Sequence, residues 1–157
     1  NNDIKISTGR YYGMRHSLDT SGDDWIVTLA DTGETTLKGG RLKRIEKYID
    51  GDTFMMTYGD GIGDIDIKKL LEFHNRHGKL VTVTGVHPVP RFGELCHAEG
   101  KVLSYREKQH GDGCLANGGF YVMNRGIFDY LTPDCDLEYG PLELLAAKGM
   151  LRRGERP

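Results

Sequence analysis

The sequence predicts an α/β fold on a mostly parallel, Rossmann-like sheet, and three observations carry that reading. Apolar runs of strand length recur at residues 25–30 (WIVTLA), 53–58 (TFMMTY) and 80–86. Segments of helical periodicity lie between them, and glycines or acids mark the junctions. Strand, helix, strand, helix, strand is the order of right-handed βαβ units.

The elements follow in order. Alternation in residues 3–7 (DIKIS) and the run 25–30 read as two strands separated by a polar, glycine-containing connector. From Gly40, the residues Leu42, Ile45, Tyr48 and Ile49 fall at helical spacing, with Arg41, Lys43, Arg44, Glu46 and Lys47 largely on the other side. The unbroken run 53–58 fits a strand covered on both faces, ended by Gly59. A second helix follows, with Asp64 or Asp66 as its cap, Ile67, Leu70, Leu71 and Phe73 on its apolar side, and Gly78 as its stop. Beyond Pro88 and Pro90 the chain turns β-rich. Residues 101–107 (KVLSYRE) and 119–123 (GFYVM) read as strands with HGDG as the turn signal between them, and helices are expected near 127–131 and 141–148.

Bulk properties exclude several function classes. A net charge of −2, with acids and bases interspersed, offers no field to recruit nucleic acid or an anionic membrane. No apolar run approaches the roughly 20 residues of a membrane span, and the polar start is unlike a secretion signal, so a cytoplasmic location is expected. Cys96, Cys114 and Cys135 are widely spaced and form no CxxC, which argues against a disulfide framework or a zinc site.

Three stretches carry candidate chemistry. In Tyr58-Gly59-Asp60-Gly61 a carboxylate stands at a strand end between glycines, where α/β sheets bind ligands. Glycines there would admit a ligand close to the backbone and allow torsions that bulkier residues resist. Asp60 suits Mg²⁺, held by one or two carboxylates with phosphate and water, or else it is a turn residue bonded to its own backbone. An EF-hand is excluded: counting from Asp60, the third position is Ile62, the sixth Ile65 and the twelfth Leu71. The second stretch, residues 31–41 (DTGETTLKGGR), joins a strand end to two glycines and a basic helix start. It is either an anion site completed by Arg41 or a plain connection, and it lacks the GxxxxGK[ST] pattern of a P-loop. In the third, Glu107-Lys108 and Asn117-Gly118-Gly119 combine groups suited to a polyol with the alternative of a surface ion pair and a hairpin bend. His74 and His77, lacking a third ligand, read as a solvated helix end rather than a metal pair.

The order VTLADTGETTLKGGRLKRI, TYGDGIGDIDI, PRFG, YREKQHGDG and NGGFYVMN closely resembles the glucose-1-phosphate cytidylyltransferases, a branch of the sugar-phosphate nucleotidyltransferases. The resemblance implies a cytoplasmic enzyme that makes CDP-glucose and pyrophosphate from CTP and glucose 1-phosphate, for deoxysugars of surface polysaccharide such as O-antigen. It implies that Thr36 and Arg41 contact the nucleotide, that Gly59 lies against the ligand and that Asp60 binds Mg²⁺, with Asp60 and Arg41 acting in catalysis. It further implies that Glu107, Lys108, Asn117, Gly118 and Glu138 face the sugar phosphate, that the full-length protein is a homo-oligomer, and that one partial domain, 1–157, divides into a nucleotide and metal part (about 1–87) and a sugar-binding part (about 88–157).

The departures are equally specific. The family's GGxGTR loop, KPM lysine and PMDT aspartate are not among these residues, Gln109 stands where the family has proline, Cys96 where it often has aspartate, and Leu137 where an aromatic is usual. The expectation is an internal fragment lacking its N-terminal βαβ unit, with residues 53–58 missing a strand neighbour and little or no turnover on its own. Two alternatives remain: a nucleotidyltransferase using UTP or dTTP, and a sugar- or nucleotide-binding regulatory domain without catalysis.

Overall fold

A computed structural model describes residues 4–7, 26–87, 94–98, 101–106 and 115–154. Glu107, Lys108 and the HGDG turn lie outside the described residues. Strand β1 (Ile4–Ser7) pairs antiparallel with β2 (Ile26–Leu29). Helix α1 (Lys38–Arg44) runs into a 3₁₀ turn (Glu46–Tyr48), then β3 (Thr53–Thr57), α2 (Ile67–His77) and β4 (Val81–Val86). After β5 (Glu94–Ala98) and β6 (Lys101–Arg106) come β7 (Ala116–Asn124), a 3₁₀ segment (Arg125–Tyr130), a kinked turn (Glu138–Leu142), α3 (Glu143–Ala147) and β8 (Leu151–Gly154).

The main sheet has the order β3-β7-β4-β8. Strand β7 is antiparallel to both β3 and β4, and β4 is parallel to β8. It follows that β3, β4 and β8 run one way, as a βαβ unit through α2 requires, with β7 inserted against them. The α/β class therefore holds, in a mixed sheet rather than a mostly parallel one, and the pairings depart from expectation in two further places. Strand β2 pairs with β1 rather than joining the main sheet, and β6 pairs with β5 instead of forming a hairpin with β7. Strand β3 lies at an edge, as expected of a strand missing a neighbour, but Met55 is 42% exposed, so the strand is not covered on both faces as its apolar run predicts.

The core sits around β7, where Tyr121, Val122 and Met123 are almost wholly enclosed. Val81, Ile127, Phe128, Leu137 and Leu145 close over it, and the Phe54 and Phe128 rings stack at 5.5 Å. Leu137, where the resemblance implies an aromatic, is a core residue here.

Helix α2 ends where the sequence placed its ends. Asp66 accepts the Lys69 N–H at 3.0 Å, and Gly78 takes φ 59° while its N–H reaches the His74 carbonyl at 3.2 Å. The last turn corrects the expectation of a solvated end: His74 is 1% exposed and fully bonded. Its Nδ1 lies 2.8 Å from Thr82 Oγ1 and its Nε2 3.0 Å from Asn124 Oδ1. His77 Nδ1 accepts the Lys79 N–H at 2.9 Å, so neutral His77 carries its proton on Nε2, 2.7 Å from Thr82 Oγ1. Thr82 can then donate to His74, giving one directed chain through both rings.

Burial first, then the neighbouring His74 and Arg152, push the His77 pKa below the ordinary 6.5. The unfolded chain therefore binds the proton more readily than the folded one, so this contribution is present above pH 6.5 and is lost as pH falls through the folded value. The urea midpoint is expected to drop between roughly pH 8 and pH 5, and less steeply in His77→Asn. A midpoint that stays level or rises on acidification in the unsubstituted chain would contradict this wiring.

Candidate functional site

The loop ahead of α1 is clasped by the helix it feeds. Arg41 donates from Nη1 to Thr32 Oγ1 at 2.8 Å and from Nη2 to the Glu34 carbonyl at 2.9 Å, and Arg44 donates to the Thr32 carbonyl at 2.8 Å. Gly33 makes the turn at φ 84°, its N–H on Asp31 Oδ1 at 3.0 Å. Two of the five Arg41 donors are thereby committed to shaping the loop, leaving the rest of the fork for a ligand.

The glycine pair has a different role from the one its sequence context implied. The Gly40 N–H donates to the Cys135 carbonyl at 2.9 Å, so it is not a free donor for an anion. A Cβ on Gly40 would stand 2.2 Å from the Pro133 oxygen, and one on Gly39 2.5 Å from Cys135 Sγ. These glycines seat the short helix on residues 133–136 by close backbone approach. Thr36 packs in the same place, its methyl beside Gly40 and its hydroxyl beside Gly33, rather than on the cleft wall.

Between α1 and the end of β3 lies an open cleft of about 620 Å³. Lys38, Arg41, Leu42 and Ile45 line it from α1 and the residue that ends it, Met56, Thr57 and Tyr58 from β3 and the residue after it, and Thr32, Gly59 and Asp60 complete the lining. A tight turn, with the Gly61 N–H on the Tyr58 carbonyl at 3.2 Å, carries Asp60 off the strand. Neither Gly59 nor Gly61 has positive φ, so the flanking glycines do not serve unusual torsions. At Gly59 the space of a Cβ is empty to 4 Å. Asp60 is the one acid among the described residues lining the cleft, and no described residue hydrogen-bonds or ion-pairs its carboxylate. The self-bonded turn, the alternative reading of Asp60, is not seen.

A polar cluster adjoins the same wall. Glu138 Oε1 accepts from Lys38 Nζ at 2.6 Å and from the Tyr58 hydroxyl. Tyr58 Oη lies 2.9 Å from Tyr121 Oη, and Asn117 Nδ2 donates to Tyr121 Oη while Asn117 Oδ1 accepts the Gly119 N–H at 2.9 Å. Burial, followed by the hydrogen bonds to Glu138 and Tyr121, pushes the Tyr58 pKa up, so the phenol stays protonated and donating. Glu138 is placed by a backbone kink, with Gly140 at φ 109° and the Glu138 N–H on Asp136 Oδ1 at 2.9 Å.

Of the residues singled out in sequence, Arg41, Gly59 and Asp60 meet in the cleft, and Asn117 and Glu138 meet in the adjoining cluster. Gly118 instead packs on β4, where a Cβ would be 2.7 Å from Thr84 Oγ1. Lys38, Tyr58 and Tyr121 were missed. Lys38 stands one helical turn before Arg41 and Tyr58 next to Gly59, spacings that would have placed both beside the cleft.

The chain is 45% identical over 137 residues to the glucose-1-phosphate cytidylyltransferase of Salmonella typhimurium, a match covering 86% of this chain. The chain is homologous to the glucose-1-phosphate cytidylyltransferases. It spans about half the length of these curated relatives, 53% for the Salmonella protein. More distantly, it is 25% identical over 142 residues to a UTP–glucose-1-phosphate uridylyltransferase of Synechocystis, covering 84% of this chain and 36% of that protein. Among solved structures, HddC from Yersinia pseudotuberculosis superposes with a TM-score of 0.54 at 27% identity, over 77% of this chain and 54% of that one. No protein-family model matches the chain. No helix among the described residues is long and apolar enough to cross a membrane.

Proposed function

We propose that this cytidylyltransferase homologue forms the nucleotide and sugar-phosphate site of an enzyme transferring a cytidylyl group from CTP to glucose 1-phosphate, releasing pyrophosphate. The observation that carries the reading is the uncommitted Asp60 carboxylate lining the same cleft as Lys38 and Arg41, in a chain 45% identical to a named cytidylyltransferase. Asp60 fits Mg²⁺, which often takes a single protein carboxylate and completes its shell with phosphate oxygens and water. The described residues hold no group of three or more acids, histidines or cysteines that would cage an ion without substrate. When bound, Mg²⁺ would supply positive charge against the phosphates.

In this reading a sugar phosphate oxygen attacks the α-phosphorus of CTP in line, so the protein's work is positioning two anions and screening their charge, with no covalent nucleophile. Arg41 addresses the nucleotide phosphates from the α1 wall, and Gly59 leaves room for the ligand to approach the backbone. Thr36 acts from behind the wall by shaping the loop. Asn117, Gly118 and Glu138, with Glu107 and Lys108, belong to the sugar-phosphate side. The division into a nucleotide part and a sugar part, cytoplasmic action in making deoxysugars for surface polysaccharide, and a homo-oligomeric full-length enzyme complete the proposal. The 157 residues alone are expected to release little pyrophosphate, since no GGxGTR loop is among them.

UTP is the competing nucleotide, favoured by the match to a uridylyltransferase. Calorimetric titration of CTP, UTP and dTTP in Mg²⁺, each with and without glucose 1-phosphate, tests the reading. Tightest binding of CTP, strengthened by Mg²⁺, is the expected result. Equal or tighter binding of UTP would replace the base, and no binding of any of the ligands would overturn the function.

A further inference from the structure

The Glu138 cluster has a direction. Tyr58 donates its only hydroxyl proton to Glu138 Oε1, so at its contact with Tyr121 it must accept, and Tyr121 in turn accepts from Asn117 Nδ2. The chain of donors runs from Asn117 through two phenols and ends on a carboxylate, the arrangement in which each bond polarises the next. Lys38 Nζ reaches the same oxygen from the cleft side, 2.6 Å away and 5.4 Å from the centre of the Tyr58 ring. Glu138 Oε1 is thereby held from two directions. Its other oxygen, Oε2, is enclosed and has no hydrogen-bond partner among the described residues. A buried acceptor without a donor is an unfavourable state that a ligand donor relieves.

We propose that Lys38, with Tyr58, is a positioning residue that fixes the Glu138 carboxylate in a single orientation, leaving Oε2 as a preset acceptor for a hydroxyl of a sugar phosphate. Lys38 is half exposed, lines the cleft and bonds Glu138, so it links the cleft to this carboxylate. Without Lys38, the carboxylate keeps one neutral donor on Oε1 and loses the charged one. Other basic residues of α1 cannot take this place: Lys43 is on the Phe128 carbonyl and Glu46, and Arg41 and Arg44 hold the loop. Specificity for a hydroxyl would then rest on a residue that need not touch the sugar.

This inference rests on the sugar-phosphate reading proposed above, and the experiment separates the two. Glucose 1-phosphate and its 2-, 3-, 4- and 6-deoxy analogues are titrated into the full chain, its Lys38→Met, Lys38→Arg and Glu138→Gln variants, and the Lys38→Met/Glu138→Gln double variant, with thermal unfolding run on each. Lys38→Met is expected to weaken glucose 1-phosphate by about tenfold or more, the scale of a lost charged hydrogen bond, and Lys38→Arg to recover most of it. The double variant should bind no more weakly than the worse single one. For one deoxy analogue, the one lacking the hydroxyl that Glu138 receives, the loss should vanish. Unchanged affinity in Lys38→Met overturns the inference alone. So does an equal loss for every analogue, since that means direct contact between Lys38 and the phosphate. Failure of the unsubstituted chain to bind glucose 1-phosphate overturns the underlying reading, and this inference with it.

Discussion

Asp60→Asn is expected to remove the Mg²⁺-dependent part of CTP binding, weakening affinity in Mg²⁺ by at least about tenfold while leaving binding in EDTA unchanged. The reasoning is local. Asp60 lines the cleft, and its carboxylate has no hydrogen-bond or ion-pair partner among the described residues, so replacing it removes a charge and the proposed cation ligand without orphaning another group. For the same reason the fold should be indifferent, with unfolding free energy within about 0.5 kcal/mol of the unsubstituted chain. Calorimetry with CTP, with and without Mg²⁺, reads the first expectation, and urea unfolding the second. Retention of the full Mg²⁺ enhancement in Asp60→Asn would remove the residue from the metal site.

Gly40→Ala should act in the opposite way, through stability. Its methyl would stand 2.2 Å from the Pro133 oxygen and 2.9 Å from the Pro133 carbonyl carbon, with Thr36 Cγ2 at 3.0 Å. Backbone cannot yield as a side-chain tip does, so α1 must lift from residues 133–136 and the 2.9 Å bond from the Gly40 N–H to the Cys135 carbonyl is lost. Overpacking together with one broken, buried hydrogen bond amounts to roughly 2–5 kcal/mol. That is a large share of the total for a domain of this size. Gly59→Ala supplies the contrast, because a Cβ there meets nothing within 4 Å. Unfolding should be unaffected in Gly59→Ala while CTP binding weakens. A Gly40→Ala chain as stable as the original would refute the packing role given to this glycine.

The contrast between these glycines marks what was legible in the sequence. Both stand in motifs that read as ligand contacts, because a sequence shows that a residue lacks a side chain but not which neighbour demands it. At Gly39 and Gly40 the neighbour is the 133–136 backbone, nearly a hundred residues on. Where the determinant is local, the reading was reliable: the Asp66 cap and Gly78 stop of α2 depend on contacts within a turn. Strand partners depend on distant segments, which is why β7 inserting between β3 and β4 left no periodic trace. Strand β8, with two arginines in four residues, forms through its parallel pairing with β4. Strand β5 contains an acid and a histidine in five residues and forms by pairing with β6.

The site divides along the same line. Asp60, Gly59 and Arg41 were found because a strand end and a basic helix start are sequence features, and the fold sets them around one cleft. Glu138 entered only through resemblance, and the residues that bond it, Lys38 and Tyr58, with Tyr121 behind Tyr58, come from separate parts of the chain. Its own placement depends on the kink at Tyr139 and Gly140, which no helical or strand period anticipates. Likewise, His74 looked solvated because its partners, Thr82 and Asn124, are eight and fifty residues away.

The central claim is that the cleft between α1 and the end of β3 receives a metal-bound nucleotide through Asp60. Replacing Mg²⁺ with Mn²⁺ tests it most directly, because the paramagnetic ion broadens amide resonances only in its neighbourhood. With CTP present, the account predicts selective broadening of residues 57–61 and of the cleft wall 38–42, abolished in Asp60→Asn. Broadening centred elsewhere, or none at these residues in the presence of CTP, would contradict it.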